Sequence, residues 1–223
     1  MGSREEPPAA GLAIVRRLAE GNGRFVDGTL SHPHQDAARR AELAAGQDPD
    51  VIVVTCSDSR VAPEVLFDAG LGDLFAIENA GGLVCAQGQE ASTELASVEY
   101  MVDHFRQRRR CGVLLALAHT HCGAVATTLG LEAGEAAGSP HLDLLVQTIR
   151  SNIPAAVRRD PGPGNRRAVD ANAGAVLASI RQGSEIVRRT EAEGLLLALV
   201  ATYDLESGRV YFPEALQAEL EKG

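Results

Sequence analysis

Short apolar runs that alternate with longer amphipathic segments constrain the fold of this chain more than any other feature. Four such runs lie at about 51–55, 74–77, 113–118 and 195–202. Strands that are apolar throughout are typical of a parallel sheet, because helices cover both of its faces. The pattern therefore predicts an α/β fold with a mostly parallel central sheet and helices on both faces.

The segments between the apolar runs carry helical patterns. Two of them, at about 12–25 and 37–45, precede the first run, so extended N-terminal helices are expected before the sheet. A helical turn should begin at Pro63, since proline is well tolerated at the first position of a helix. The remaining predicted helices lie at about 90–105, from Ala124, at 140–157 and at 168–193, and a turn then leads into 210–212.

The sequence shows no internal repeat and no linker long enough to divide it. Its 223 residues, of which 45% are hydrophobic, suffice for one substantial core, so a single domain over 1–223 is predicted. The first residues, about 1–10, are expected to be disordered or a cloning remnant.

Composition narrows the classes of partner. The 21 Lys and Arg residues against 30 Asp and Glu residues give a formal charge of −9, which argues against nucleic acid or an anionic membrane as a main partner. No stretch approaches the roughly 20 apolar residues of a membrane span. Because the start also lacks the apolar core of a signal peptide, we expect a cytoplasmic, reducing location.

The four cysteines are too few and too scattered for a disulfide scaffold. In a cytoplasmic protein, metal binding or catalysis is the more common use of such residues. Cys56 and Cys122 follow predicted strand ends and are the candidates for it. Cys111 opens an apolar run and is interpreted as a small core residue, whereas Cys85 lies in a loop and fits either role.

Two polar segments place zinc-binding side chains directly after apolar runs. They read CSDSR at 56–60 and AHTHCG at 118–123. Strand ends of an open parallel sheet are where such folds present ligands. Cys56, His119 and Cys122 together supply two thiolates and an imidazole for one Zn²⁺ ion per chain, which leaves a fourth position for Asp58 or water. His121 is the poorer ligand, since adjacent side chains tend to point apart.

The carboxylate of Asp58 lies two residues from the first predicted ligand and has two possible roles. It could bind the metal and close the site, or Arg60 could hold it off the metal so that it accepts a hydrogen bond from zinc-bound water. In the second arrangement zinc lowers the pKa of the water to about 7, and Asp58 orients the resulting hydroxide. A surface ion pair of small energetic value is the alternative interpretation.

These motifs, taken in their order along the chain, resemble those of the β-class carbonic anhydrases, and the resemblance covers nearly the whole chain. The signature is CSDSRV at 56–61. The further matching segments are GNGRF at 21–25, GQDP at 46–49, GDLF at 72–75, NAG at 79–81, SVEY at 97–100, the His119/Cys122 segment, Asn172 and Tyr203-Asp204.

The resemblance implies reversible hydration of CO₂ to bicarbonate and a proton by zinc-bound hydroxide. It implies Cys56, His119 and Cys122 as zinc ligands and Asp58 with Arg60 as a gating and orienting dyad, Asp58 being a possible fourth ligand in a closed state. The positions that it implies for the substrate site are Gln47, Phe75, Ala80, Tyr100 and Gly123. Because the pocket of this family is completed across a subunit interface, it further implies a homodimer or a dimer of dimers.

The sequence departs from the family pattern at two positions near these motifs. Glu78 stands where the family usually has Arg, and Ala118 where it usually has Gly. One subgroup uses that Arg, a Trp and a Tyr to bind a bicarbonate effector; here the Trp position is Val53, and only Tyr203 matches. We therefore predict that bicarbonate does not hold this protein inactive through that site.

Two other functions share the same zinc motif. A hydrolase for carbonyl sulfide or carbon disulfide would use the same scaffold, and a non-catalytic zinc-binding relative would bind the metal without turnover. A redox protein is a weaker alternative, because no Cys-x-x-Cys motif is present. The resemblance leaves the proton shuttle open, and His104 and His121 are candidates because imidazole titrates near neutrality. We also expect an open site near pH 8 that closes by Asp58 ligation at lower pH.

Overall fold

The computed structural model describes residues 8–84 and 92–220, apart from the side chain of Ala218. The helices in these ranges are α1 (Ala9–Asp27), α2 (Ala37–Leu43), α3 (Pro63–Leu66), α4 (Thr93–Gln107), α5 (Gly123–Gly130), α6 (Pro140–Asn152), α7 (Ala155–Arg159), α8 (Arg166–Gly183), α9 (Glu185–Ala192) and α10 (Glu214–Leu220), with a short 3₁₀ turn at Pro163–Asn165. None of the helices in this part of the chain is long and apolar enough to cross a membrane.

The strands form one five-stranded sheet. They are β1 (Val51–Cys56), β2 (Leu74–Asn79), β3 (Gly112–His119), β4 (Leu196–Tyr203) and β5 (Val210–Tyr211), in the spatial order β2-β1-β3-β4-β5. The first four run parallel, and only β5 pairs antiparallel, with β4. The predicted α/β fold with a mostly parallel sheet and N-terminal helices is confirmed.

Several predicted helix boundaries are wrong. Helix α1 begins at Ala9, three residues before the predicted start at about residue 12. The helix predicted over 140–157 is two helices, because Pro154 follows α6 and lacks the amide that would continue it. The helix predicted over 168–193 is also divided, at Ser184, where the backbone is extended and the side chain accepts a hydrogen bond from the amide of Val187. Helix α10 was not predicted, and Cys85 lies outside the described residues.

Alternate residues of each central strand face opposite apolar layers. One layer joins Ile52, Val54 and Leu114 to α4, α6, α8 and α9, and the other joins Val51 and Val113 to α1, α3 and α10. Because β1 and β3 are buried along their whole length, their backbones have little freedom to shift. The residues at the ends of these two strands are therefore held in fixed positions.

Asp68 anchors the loop after α1 to the end of α3. Its buried carboxylate accepts hydrogen bonds from Arg24 at 2.6 Å, the Ser31 hydroxyl at 2.7 Å and the His32 amide at 2.9 Å. Burial alone would raise the pKa of Asp68, but these donors together outweigh it and hold the pKa well below its usual range.

We predict that Asp68→Asn lowers the free energy of unfolding by about 2–3 kcal/mol, because it removes the buried charge that these donors share. Asparagine is the appropriate replacement, since it tolerates the left-handed backbone at φ 44°. The folded-state pKa is lowered, so the difference between the proteins is complete above about pH 4 and shrinks below it. Urea unfolding at several pH values measures both effects.

The control is Asp160→Asn, which changes an exposed ion pair with Arg167 and is expected to cost less than about 0.5 kcal/mol. Equal losses in the two variants, or a difference that does not change with pH, would contradict the assignment of Asp68.

Candidate metal centre

The candidate site lies at the switch point of the sheet. From β1 the chain continues through α3 to β2 on one side, and from β3 it continues through α5–α9 to β4 on the other. These connections leave neighbouring strands in opposite directions and open a crevice at the carboxyl ends, where α/β proteins bind ligands. Cys56 ends β1, His119 ends β3, and Cys122 directly precedes α5.

The donor atoms of these three buried residues converge. The sulfur atoms of Cys56 and Cys122 are 3.9 Å apart, and the two sulfurs and an imidazole nitrogen of His119 all lie within 4.8 Å of one another. Ligand atoms at about 2.3 Å from a tetrahedral zinc ion are about 3.8 Å apart. The spacing of the cluster therefore fits zinc.

The imidazole of His119 is held with one nitrogen free. Its Nδ1 lies 2.9 Å from the carbonyl oxygen of Thr120, which can only accept, so Nδ1 carries the proton and Nε2 presents a lone pair. Nε2 is buried without a hydrogen-bond partner among the described residues. An unpaired buried polar atom is costly, and a metal ion would satisfy it. The Thr120 hydroxyl in turn donates to Asp204 at 3.0 Å, which fixes this segment.

The two cysteines share a proton. The Cys122 thiol donates to the sulfur of Cys56 and lowers the pKa of Cys56 to about 4, and the Gly81 amide adds to this effect. The same hydrogen bond, together with burial, raises the pKa of Cys122. Cys56 is therefore a thiolate at neutral pH, the form that binds metals, and a cation that binds here displaces the proton of Cys122.

Asp58 and Arg60 form a bidentate ion pair beside the cluster. Arg60 donates from Nε to Oδ1 of Asp58 at 2.8 Å and from Nη2 to Oδ2 at 2.7 Å, and its Nη2 also donates to the carbonyl of His121 at 3.2 Å. This pairing lowers the pKa of Asp58 to about 2. Oδ2 lies 4.0 Å from Nε2 of His119, so the carboxylate is next to the cluster while the guanidinium holds it.

Two of the residues predicted to line the substrate site lie next to the cluster. Ala80 follows Asn79, the residue of β2 that pairs with Cys56. Gly123 follows Cys122 and begins α5. Both positions can contribute to a pocket within one chain.

The other three predicted lining residues lie away from the cluster of their own chain. Gln47 precedes β1, and Phe75 pairs with Ile52, about 13 Å along the strand from Cys56. Tyr100 contacts Phe75, with ring centroids 6.4 Å apart, and is 65% exposed, so Tyr100 is not a core residue of this chain. These three residues therefore do not join the metal cluster of their own chain.

The two candidate proton shuttles differ in position. His121 lies beside the cluster, where its carbonyl accepts from Arg60 and its ring lies 3.4 Å from Glu206. His104 contacts Asp48 at 3.0 Å, and Asp48 lies at the opposite end of the sheet, just before β1.

A second set of polar contacts lies behind Cys56, and the motifs that contain Gly81 and Asn172 do not indicate that these residues meet. The amide of Gly81 donates to the Cys56 sulfur at 3.4 Å, and the carbonyl of Gly81 accepts from Asn172 at 2.9 Å. Asn152, which donates to Asn172 at 2.9 Å, was not singled out. The glycine pair at 81–82, which begins two residues after β2 ends, was a local signal of these contacts, since glycine often marks a close approach of the backbone to a ligand.

Comparisons with known proteins agree on one family. A family model described as carbonic anhydrase matches residues 51–210. The carbonic anhydrase of Mycolicibacterium smegmatis is 33% identical over 206 residues, covering 92% of this chain and 94% of the relative. Carbonic anhydrase 2 of Mycobacterium tuberculosis is 33% identical over 199 residues, covering 89% and 90%. The solved β-carbonic anhydrase CcaA is similar with a TM-score of 0.64 at 26% identity, covering 89% and 86%.

Proposed function

Because the chain belongs to the β-class carbonic anhydrases and is therefore a carbonate dehydratase, we propose that it hydrates CO₂ reversibly with a zinc ion held by Cys56, His119 and Cys122. The observation that supports this assignment best is the buried, unpaired Nε2 of His119 beside two sulfur atoms. When bound, zinc acts as a Lewis acid and lowers the pKa of a water molecule to about 7.

In this proposal Asp58 orients the attacking oxygen. Its carboxylate remains ionised at neutral pH because Arg60 lowers its pKa to about 2, so it can accept a hydrogen bond but cannot donate one. The two guanidinium bonds fix the plane of the carboxylate and direct Oδ2 toward His119. Movement of Asp58 onto the metal at lower pH, which would close the site, belongs to the same proposal.

A small cavity next to the cluster is mainly apolar and extends behind Cys56 to Gly81 and Asn172, and none of the five predicted substrate residues lines it. This cavity of about 20 Å³ adjoins the three ligands and is lined mainly by apolar side chains, among them Val54, Ala118 and Val125. CO₂ carries no charge, so a dry pocket with few donors favours it over anions. Gly123 supplies a backbone amide next to Cys122, and Ala80 supplies a small side chain near Cys56.

We propose that a second copy of the chain completes this pocket. Gln47, Phe75 and Tyr100 would then act at the partner's metal centre, which explains why Tyr100 is 65% exposed in one chain. A homodimer or a dimer of dimers satisfies this arrangement. Two β-carbonic anhydrases of Sordaria macrospora that share this fold are tetrameric.

Mixing two inactive variants tests the shared site. If Gln47 acts across the interface, refolding Asp58→Ala with Gln47→Ala should restore about a quarter of wild-type sites, because each mixed dimer contains one site with both residues. CO₂ hydration before and after mixing measures this. If Gln47 acted within its own chain, no site would contain both residues and mixing would restore nothing.

Substrate identity is tested by assaying CO₂ hydration and carbonyl sulfide hydrolysis on the same zinc-containing preparation. We expect much faster hydration than sulfide release. Faster sulfide release would favour the hydrolase alternative, and stoichiometric zinc without either reaction would favour a non-catalytic relative.

The charge at Glu78 predicts the response to bicarbonate. Glu78 and the nearby Glu64 place two carboxyl groups at this end of β2, where burial and the charge of Glu64 raise the pKa of Glu78. Negative charge at this position is unfavourable for an anion. We expect bicarbonate to act only as a product, with no cooperative loss of activity. Hydration rates over a bicarbonate series check this, and a cooperative inhibition curve or a crystal structure with bicarbonate beside Glu78 would contradict it.

A further inference from the structure

A chain of hydrogen bonds connects the interior of the helical layer to one proposed zinc ligand. Asn172 of α8, which is 4% exposed, donates from Nδ2 to the carbonyl of Gly81 at 2.9 Å. The amide of Gly81 donates to the sulfur of Cys56 at 3.4 Å. The two groups lie in adjacent peptide planes that meet at the Gly81 Cα, so anchoring the carbonyl fixes one plane and limits the directions open to the other.

Gly81 lies in a turn that favours glycine. Its φ of +81° lies in the left-handed region that favours glycine, and a Cβ there would lie 2.9 Å from Cδ1 of Ile149. Glycine therefore permits the conformation but does not itself fix it, since it has more backbone freedom than any other residue. The hydrogen bond from the Gly82 amide to the Asn79 carbonyl at 3.0 Å closes this turn from within the loop, and Asn172 adds an anchor from outside it.

Asn172 is itself held from both sides. Its Oδ1 accepts from Nδ2 of Asn152, at the end of α6, at 2.9 Å. Because the Gly81 carbonyl can only accept, the NH₂ group of Asn172 must face it and the oxygen must face Asn152. The amide of Asn172 thus has a single favourable orientation, and it directs the Gly81 amide toward the sulfur.

We propose that Asn172 is a positioning residue for metal binding, which acts through Gly81 to direct a hydrogen bond at the Cys56 thiolate. Partners of this kind fix the orientation and charge of a metal ligand, and their loss typically weakens metal affinity about 10–100-fold. The inference rests on the proposed zinc site. Asn152 contributes indirectly to the same hydrogen bond, because it orients the side chain of Asn172.

The test compares two buried asparagines. Asn172→Ala should weaken zinc binding by about 10–100-fold, measured by competition with a chelator. The control is Asn22→Ala. Asn22 is 5% exposed and, like Asn172, donates to backbone carbonyls, in its case those of Leu66 and Gly208. It lies in the opposite apolar layer, away from the metal cluster. Both variants should lose stability, whereas the zinc affinity of the control should stay within about threefold of the wild-type value.

A spectroscopic measurement separates positioning from stability. With Co²⁺ in place of zinc, the sulfur-to-cobalt charge-transfer band should shift in Asn172→Ala and stay unchanged in Asn22→Ala. Asn152→Ala should show a smaller loss of affinity in the same direction, and it decides the question if Asn172→Ala does not fold.

The inference would be overturned if Asn172→Ala binds zinc with unchanged affinity, or if Asn172→Ala and Asn22→Ala lose affinity equally. If Asn172→Ala does not fold, unchanged zinc affinity in Asn152→Ala would overturn it. Failure of the underlying function is distinguishable, because the wild-type protein would then bind no zinc or fail to hydrate CO₂.

Discussion

Replacing Cys122 by serine is expected to remove the zinc ion and abolish CO₂ hydration. Cys122 lies between β3 and α5, with its sulfur buried 3.9 Å from that of Cys56. A serine hydroxyl is a far weaker ligand than a thiolate, because it stays protonated at neutral pH. Two ligands would remain, which are too few for a closed zinc site. Zinc content after dialysis, together with the hydration rate, measures the loss.

Cys111→Ser is the matched control for that variant. Cys111 is also buried, but it precedes β3 at the opposite end of the sheet and is not part of the ligand cluster. The Cys111→Ser variant should retain stoichiometric zinc and near wild-type turnover, although a buried hydroxyl at this position is expected to reduce stability. Circular dichroism verifies that both variants are folded. Stoichiometric zinc in folded Cys122→Ser would show that the ligand assignment is wrong.

Asp58→Asn is expected to lower kcat/KM for CO₂ by about 10²–10⁴-fold while zinc remains bound. Asparagine preserves the size of the side chain but replaces one accepting oxygen with an NH₂ group, which cannot accept the hydrogen bond that orients the attacking oxygen. The ligands Cys56, His119 and Cys122 are untouched, so the metal content should not fall.

The control for Asp58→Asn is Asp73→Asn. Asp73 is similarly exposed, with 21% of its side chain accessible against 15% for Asp58, and it also faces an arginine, Arg39. We expect nearly unchanged turnover from this control. Full activity in zinc-containing Asp58→Asn would refute the orienting role of Asp58, and a parallel loss of zinc would instead indicate that Asp58 helps hold the metal.

The sequence was sufficient to predict the features that depend on local pattern. Uniformly apolar runs identified the four parallel strands, and the segments after two of these runs contained the ligand cluster. Strand ends were predictable because a change from apolar to polar residues marks the point at which the chain leaves the core. The cluster followed from the rule that the carboxyl ends of parallel strands share one edge of a sheet.

Features that depend on tertiary contacts were not predictable. Ser184 interrupts a continuous helical pattern because its side chain bonds the amide of Val187 and a second contact, Glu99, holds its hydroxyl at 2.7 Å. Asn152 and Asn172 lie 20 residues apart, and no periodic pattern indicates that they meet.

The extent of a single domain, the cytoplasmic location and the subunit number stay predictions. Oligomeric state is the most informative of the three, because the proposed function places Gln47, Phe75 and Tyr100 at the metal centre of a partner chain. Sedimentation at several protein concentrations measures it directly.

The central claim is that CO₂ turnover depends on zinc held by Cys56, His119 and Cys122. Stopped-flow CO₂ hydration near pH 8, measured on protein with zinc removed and then restored in steps, tests it most directly. We predict that the rate rises in proportion to bound zinc and saturates at about one ion per chain. Turnover that persists without zinc, or stoichiometric zinc that produces no hydration, would contradict the claim.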